Sequence, residues 1–484
     1  MSVPEASPLD ALAAQSVPSV RAMGNRKFYF AFGAALWLLA LFFHGGGGWN
    51  PNSRLLTVFG LVEDGTFRAD RWKGETGDYA QVGGHLYSDK APGSSFVVLP
   101  FYWVMRRMEG GAQTGNDRGA AVHLGDAVAS ALPFAIFALL LLLRVEKEGV
   151  HGRAAVWLGM AGALGTCLFD YGGLYFGHML AAALFLGAYV LACEREERFV
   201  LAGALGGLAV LTEYPLAVTQ IIVLVYLLLG PQRWRRATLY GLGALPMALL
   251  MIGYNKAITG GWFDFPYSHV GAMWAAMHTD FGMRLPNPSA MWALAFGQYR
   301  GLAFYAPVLL LGVPAIAAAF AGPRRRKALV LVLLGSYFLL ISSYFKWDGG
   351  WCVGPRHLLP VIALGVYEGT AALARTRRHW WLHGILAGWG ALVAFAALAT
   401  DPLPAENFRS PAFEVFFPKV WKGQISGHNL LAEAHLPNGR YVFVTWLTLA
   451  VALTWALAWW AERREVAAAN GELRLQRPVG NRSF

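Results

Sequence analysis

Long apolar runs alternate with short basic turns over most of this chain. Apolar windows fall at 28–43, 121–143, 154–169, 177–192, 199–212, 216–230, 238–255, 302–322, 328–345, 358–373, 381–399 and 442–460. Runs of this kind, recurring from one end to the other, predict an all-α polytopic membrane protein. The segment FVVLPFYWVM (96–105) is apolar but too short to cross a hydrocarbon core of ~30 Å at ~1.5 Å per residue. It suits a helix lying at the interface or a re-entrant piece.

The basic residues orient these spans. If 96–105 does not cross, the clusters Arg144/Lys147/Arg153, Arg195/Arg198, Arg233/Arg235/Arg236, Arg324/Arg325/Arg326/Lys327, Arg375/Arg377/Arg378 and Arg463/Arg464 all fall on one side, with Arg21, Arg26 and Lys27. If it crosses, the later clusters all change sides. The positive-inside rule selects the first arrangement, with about twelve spans and both termini cytoplasmic. The expected organisation is a disordered cytoplasmic tail over 1–27, a transmembrane domain over 28–460 and a cytoplasmic tail over 461–484. Within the domain, outer loops cover 44–119 and 400–441. The N-terminal stretch lacks the pattern of a cleaved signal.

Composition agrees. Hydrophobic residues make up 56%, charged residues 14%, and mean hydropathy is +0.41. The net charge of +11 is carried by short clusters between apolar spans, which argues against nucleic acid as a partner and for contact with lipid headgroups. Cys167, Cys193 and Cys352 include no CxxC pair, and no HExxH is present, so neither a disulfide framework nor a cysteine-based zinc site is expected.

The polar segment 44–100 changes the picture from transport toward chemistry. It holds Glu63, Asp64, Asp70, Asp78 and Asp89 beside Arg54, Arg68, Arg71, Lys73 and Lys90. A loop of that length between spans is seldom a mere connector. The same side receives Asp170, Glu213, Asp264, Asp348 and Arg356. Glu213 and Tyr214 stand beside Pro215 at a span end, where a carboxylate is costly unless paired or wetted. His123 and Asp126 raise the same issue. Arg300 and Arg356 are cations on the side where cations are not expected, which suits phosphate binding or, more plainly, headgroup contact. Trp262, Tyr267, Trp274, Trp347 and Trp351 read as an interfacial belt, with sugar stacking open to one or two of them.

The motif Ser88-Asp89-Lys90-Ala91-Pro92-Gly93 and the helix NSRLLTVFGLVEDGTF (52–67) resemble elements of the GT-C superfamily of membrane glycosyltransferases. That superfamily includes the protein O-mannosyltransferases and the bacterial aminoarabinose transferase of lipid A. TGDYAQVGGHLYSDKAPG (76–93), FGHMLAAAL (176–184), VLTEYPLA (210–217), YRGLAFYAPVLLL (299–311) and GGWCVGPRHLLP (349–360) look like signatures of a bacterial branch.

The resemblance implies a GT-C-like fold in the bacterial inner membrane with an active site on the outer face. It implies transfer of a sugar from a polyprenyl-phosphate carrier, with inversion, to a glycan, lipid or protein acceptor. Asp89 and Asp78 are then candidate catalytic acids, and Asp170 joins them as the acid of the second outer loop. Lys90, Arg54, Arg300 and Arg356 are candidates for the donor phosphate. Asn52, His178, Glu213 and Tyr214 are candidates for substrate contact. Some relatives use a divalent ion, so outer carboxylates holding Mg or Mn remain open.

One departure matters. The Asp-Glu pair of the relatives falls on Pro51 and Asn52. That loss keeps a non-catalytic GT-C-like subunit of a membrane assembly beside the enzyme as a reading; a transporter of lipid-linked glycans is a separate alternative, which the mostly entrance-level charges count against. The plainer roles also stand, with Lys90 as a snorkelling lysine, Asp78 as a turn residue and His178 as a structural hydrogen-bonder.

Overall fold

The computed structural model describes residues 26–108, 117–194, 198–271, 273–274, 280–320, 322–377 and 379–475. The tail expected over 1–27 lies outside them except for Arg26 and Lys27, as do Arg195, Arg378 and residues 476–484.

Every apolar window of the sequence contains helix among its described residues. Among the described residues, five helices are long and apolar enough to cross a membrane: Gly119–Lys147, Arg233–Thr259, Arg356–Thr376, Trp380–Thr400 and Arg440–Ala467. Shorter apolar helices follow at His178–Glu194, Phe199–Thr212, Tyr214–Leu228 and Leu309–Ala319. The first helix, α1, covers 26–41. The centre of the bundle is dry, with Phe28, Phe32, Phe134, Phe137, Leu141, Ile362 and Leu364 fully buried. At the periphery the polarity inverts: Ile221, Leu249, Val332 and Trp455 face outward. Apolar faces of that extent are incompatible with water and fit lipid.

The two ends of the bundle differ in chemistry. Along Gly119–Lys147, Asp126 near one end accepts a hydrogen bond from Gly45 N–H at 3.2 Å. Arg144 near the other end pairs with Glu148, Glu194 and Glu368. Glu146 binds Arg464 at 2.7 Å, and Arg375 and Arg326 join the same end. The segments read as outer loops meet at the Asp126 end, and the arginine-rich turns gather at the Arg144 end.

Three local elements shape the first loop. Helix α2 is Trp49–Glu63, with Pro51 tolerated in its first turn, where backbone N–H groups lack helical partners anyway. A hairpin follows, β1 Ala80–Val82 antiparallel to β2 His85–Tyr87. Its two-residue turn is Gly83-Gly84, both at positive φ (59° and 84°), the conformation that only glycine takes freely. Helix α3 is Gly93–Met108 and carries the segment 96–105. Its buried stripe is Ser94, Ser95, Val98, Tyr102 and Arg106, while Phe101, Trp103 and Met108 face out. This sidedness suits an interfacial helix. Glu63 of α2 fastens α3 through Arg106 at 2.7 Å and Tyr102 at 2.9 Å.

The division of ends carries a labelling prediction. Cys167, Cys193 and Cys352 are all buried, so background reaction is low. In intact cells a membrane-impermeant thiol reagent is expected to modify Lys73→Cys and to spare Arg324→Cys until the membrane is opened, both positions being exposed. Equal labelling of both from outside would overturn the bundle's placement across the bilayer.

Candidate active site

The hairpin is what makes the site. Asp78 lies just before β1, and Asp89-Lys90 just after β2, so strand pairing delivers the three charges to its open end. Lys90 Nζ lies 2.9 Å from Asp78 Oδ2 and 2.8 Å from Asp89 Oδ2. Ser53 on α2 donates to Asp89 Oδ1 at 2.8 Å and lies 3.1 Å from Ser88 Oγ. Lys90 N–H donates to Ser88 Oγ at 3.2 Å. Asp89 is 1% exposed and Asp78 13%, so Asp78 offers the more accessible carboxylate. Gly93 seats this corner against the helix Phe199–Thr212, because a Cβ there would lie 2.6 Å from Thr212 N.

Burial penalises the Lys90 ammonium, but the two carboxylates outweigh that penalty and hold it charged above its ordinary range. Burial also pushes the Asp89 carboxyl up; Lys90 and the Ser53 hydroxyl oppose this, and Asp78 adds to it. The ammonium occupies the place between Asp78 and Asp89 that a divalent ion would need. These two carboxylates therefore do not form an oxygen cage for Mg or Mn.

A second group of charges adjoins the first. Arg54 is buried and donates to Glu213 Oε1 at 2.7 Å, Asn50 Oδ1 at 3.0 Å and Ser94 Oγ at 3.0 Å. Its own carbonyl accepts from Ser95 Oγ at 2.7 Å. His178 Nδ1 lies 3.1 Å from the same Glu213 oxygen, and its ring stands edge-on to His357 at 5.3 Å. Burial raises the Glu213 carboxyl above its usual range, opposed by Arg54, Arg356 and Lys90, so the two groups share one field. His357 continues to Tyr344, whose hydroxyl meets that of Tyr267 at 2.5 Å. Tyr214 stacks edge-on against Phe265 nearby.

The four cations expected at a donor phosphate are not equivalent. Lys90 is committed to two acids, and Arg54 to Glu213. Arg300 is fully buried and donates to the carbonyls of Tyr299, Asp348 and Gly350 at 2.9–3.0 Å, which fixes the loop behind the site. Arg356 lies over the Phe176 ring, beside His178 and His357, and no carboxylate among the described residues pairs with it. Its Nε is buried without a protein partner.

Two candidates stand apart. Asp170 is fully buried, and neither carboxylate oxygen has a protein hydrogen-bonding partner. Asn52 donates to the carbonyl of Glu75 at 2.8 Å and so serves the loop. Ser53, Ser88, Ser94, Tyr344 and His357 join the site although the sequence reading gives them no separate role, and Tyr267 joins it from the expected aromatic belt. Ser53, Ser88 and His357 carried a signal, as neighbours of the charged residues in their motifs.

The Arg54–Glu213 pair yields a stability prediction. Arg54→Met strands a largely buried carboxylate and is expected to cost about 3–5 kcal/mol. The double change Arg54→Met with Glu213→Gln is expected to recover part of that loss, read by thermal unfolding in detergent. Equal loss in both variants would show that the pair is not the source.

No family model matches the chain, and no curated protein matches it. Among solved structures, ArnT from Cupriavidus metallidurans in the apo state aligns with a TM-score of 0.50 and 19% identity, covering 91% of this chain and 78% of that one. The same protein bound to undecaprenyl phosphate aligns with a TM-score of 0.47 and 19% identity, covering 95% and 82%. The apo likeness extends over nearly the whole chain, and the fold is that of ArnT, as the GT-C-like motifs imply.

Proposed function

We propose that this chain, which has the fold of ArnT, is a membrane glycosyltransferase that takes a sugar from a polyprenyl-phosphate carrier. The acceptor is an extracytoplasmic hydroxyl, and the active site faces outward. The observation that carries this reading is a cation without an anion: Arg356 stands beside the Asp78–Lys90–Asp89 cluster and the Arg54–Glu213 pair, and no carboxylate among the described residues pairs with it.

In this mechanism Asp78 accepts the proton of the acceptor hydroxyl, and the freed oxygen attacks the anomeric carbon. The bond from that carbon to the carrier phosphate breaks on the opposite face, giving inversion. The departing phosphate is met by Arg356, with Lys90 shared between it and the acids. Asp89 keeps Lys90 in place. Glu213 and His178 line the substrate side, while Arg300 positions the 348–350 loop that leads to Arg356. The polar hydrogen-bonding groups of Ser53 and Ser94 keep the buried charges solvated by protein.

Transfer from a radiolabelled lipid-linked sugar tests the roles. Asp78→Asn and Lys90→Ala are each expected to reduce kcat at least about 100-fold, the usual scale for losing a general base or a charge-stabilising donor. Arg356→Ala is expected to raise KM for the lipid-linked donor as well as to lower kcat. Full activity in all three variants would overturn the assignment.

The pH profile supplies a second test. The cluster works with its carboxylates ionised, and burial raises Asp89, so the rate should fall on the acid side above the ordinary carboxylate range. Ser53→Ala removes a hydrogen bond that favours the ionised form and is expected to move this acid limb to higher pH. An unmoved or lowered limb would contradict the role given to Asp89.

A further inference from the structure

At the root of α2, away from the charges just described, three ligand-type side chains converge from distant parts of the chain. His44 follows α1, His123 lies in the first turns of Gly119–Lys147, and Glu433 ends the short helix Leu430–Glu433. His44 Nε2 is 3.0 Å from Glu433 Oε1, His123 Nε2 is 3.1 Å from the same oxygen, and His123 Nε2 lies 2.8 Å from His44 Nε2 and 2.5 Å from His44 Nδ1. The rings meet at right angles with centroids 3.6 Å apart.

Hydrogen bonds cannot satisfy this triangle. Each neutral imidazole carries one N–H, and the carboxylate carries none. If both Nε2 atoms are protonated toward Glu433, two N–H groups oppose one another across 2.8 Å. If His123 Nε2–H donates to His44 Nδ1, His44 Nε2–H can serve the carboxylate, but the edge between His123 and Glu433 is left without a proton. A single cation at the centre satisfies all three edges.

The dimensions suit a transition-metal ion. Zinc bonds nitrogen at about 2.0–2.1 Å and carboxylate oxygen at about 2.0–2.2 Å, which places neighbouring ligands of a tetrahedral ion about 3.3 Å apart. The triangle here needs to open by only a few tenths of an ångström. Two histidines and one glutamate form a borderline donor set that favours zinc over Mg or Ca.

The frame that holds the ligands is built independently of them. Phe43 forms an antiparallel bridge with Asn429, Leu430 N–H donates to Phe42 O at 3.0 Å, and His44 N–H donates to His428 O at 3.2 Å. Asn429 caps the Glu433 helix by accepting from Leu431 and Ala432 N–H at 3.1 and 3.0 Å. His428 adds a further ring 5.7 Å from His44, and Gly46 leaves room for it, since any side chain there would collide with that ring. His44 is buried, while His123 and Glu433 are 36% and 42% exposed, so an ion has a path in from water.

We propose that His44, His123 and Glu433 bind one zinc ion, which clips the last outer loop to the segment entering α2. The site is separate from the sugar-transfer chemistry and acts on the stability of the loop frame. Its ligands come from three segments, so binding the folded chain and not the unfolded one raises the unfolding temperature.

The test uses the full chain, purified in detergent without a histidine tag. Zinc content by mass spectrometry is expected to be about one ion per chain after reconstitution with zinc alone, with unfolding shifted upward by added zinc and downward by chelator. His123→Ala and Glu433→Gln are expected to lower zinc affinity at least about 100-fold and to abolish the zinc-dependent shift. Glu433→Gln is a partly exposed, isosteric change, so monodisperse elution of that variant keeps the test informative if His123→Ala fails to fold. A wild-type chain that takes up no zinc, or folded Glu433→Gln binding as tightly as wild type, would overturn the proposal.

Discussion

An ammonium held between two carboxylates, all three withdrawn from water, is the constraint on which the first loop depends. Taking such charges out of solvent is costly, and their mutual attraction compensates only when the geometry is tight and the remaining lone pairs are satisfied. That requirement explains the features around Lys90. The Gly83-Gly84 turn fixes the hairpin register, so Asp78 and Asp89 arrive opposite one another. Ser53 reaches over from α2 to the second Asp89 oxygen. Gly93 allows α3 to start hard against the helix Phe199–Thr212. A slip of one residue in the hairpin would turn its side chains to the opposite face and separate the charges.

The adjoining charges follow the same logic with a different outcome. Arg54 and Glu213 neutralise one another within hydrogen-bonding distance, and Asn50 and Ser94 take up further donors of the guanidinium. Arg300 is neutralised by no acid; its donors are spread over three carbonyls, which makes it a brace for the 348–350 loop. Arg356 has neither arrangement. Among the described residues the region thus presents matched pairs beside two cations without an acid, Arg300 spent on carbonyls and Arg356 left to receive an anionic group.

Much of this was legible in the sequence, and the limit has a physical cause. Hydropathy dictates where helices cross lipid, because an unpaired backbone in hydrocarbon is intolerable; each of the twelve apolar windows contains helix for that reason. The convergence of Asp78, Asp89, Lys90, Arg54, Glu213 and His178 was also readable, since each is a polar residue placed where polarity is costly or follows a motif. Partner choice was not. Whether Arg300 meets phosphate or carbonyls, whether Asp170 faces the cluster or packs without a partner, and that His44 meets Glu433 are decided by tertiary contacts between segments far apart in the chain. The short hairpin was hidden for a related reason: three-residue strands carry too few alternations to stand out as a periodic signal.

The bridge between Phe43 and Asn429 joins the exit of the first helix to the approach of the last. A ribosome making this protein releases the two halves of that bridge at opposite ends of its work. Until the later half is made, the segment entering α2 is held by earlier contacts, Gly45 N–H donating to Gly173 O at 2.9 Å and to Asp126 Oδ2 at 3.2 Å. The closing loop adds the last of these moorings, after every intervening helix has been made.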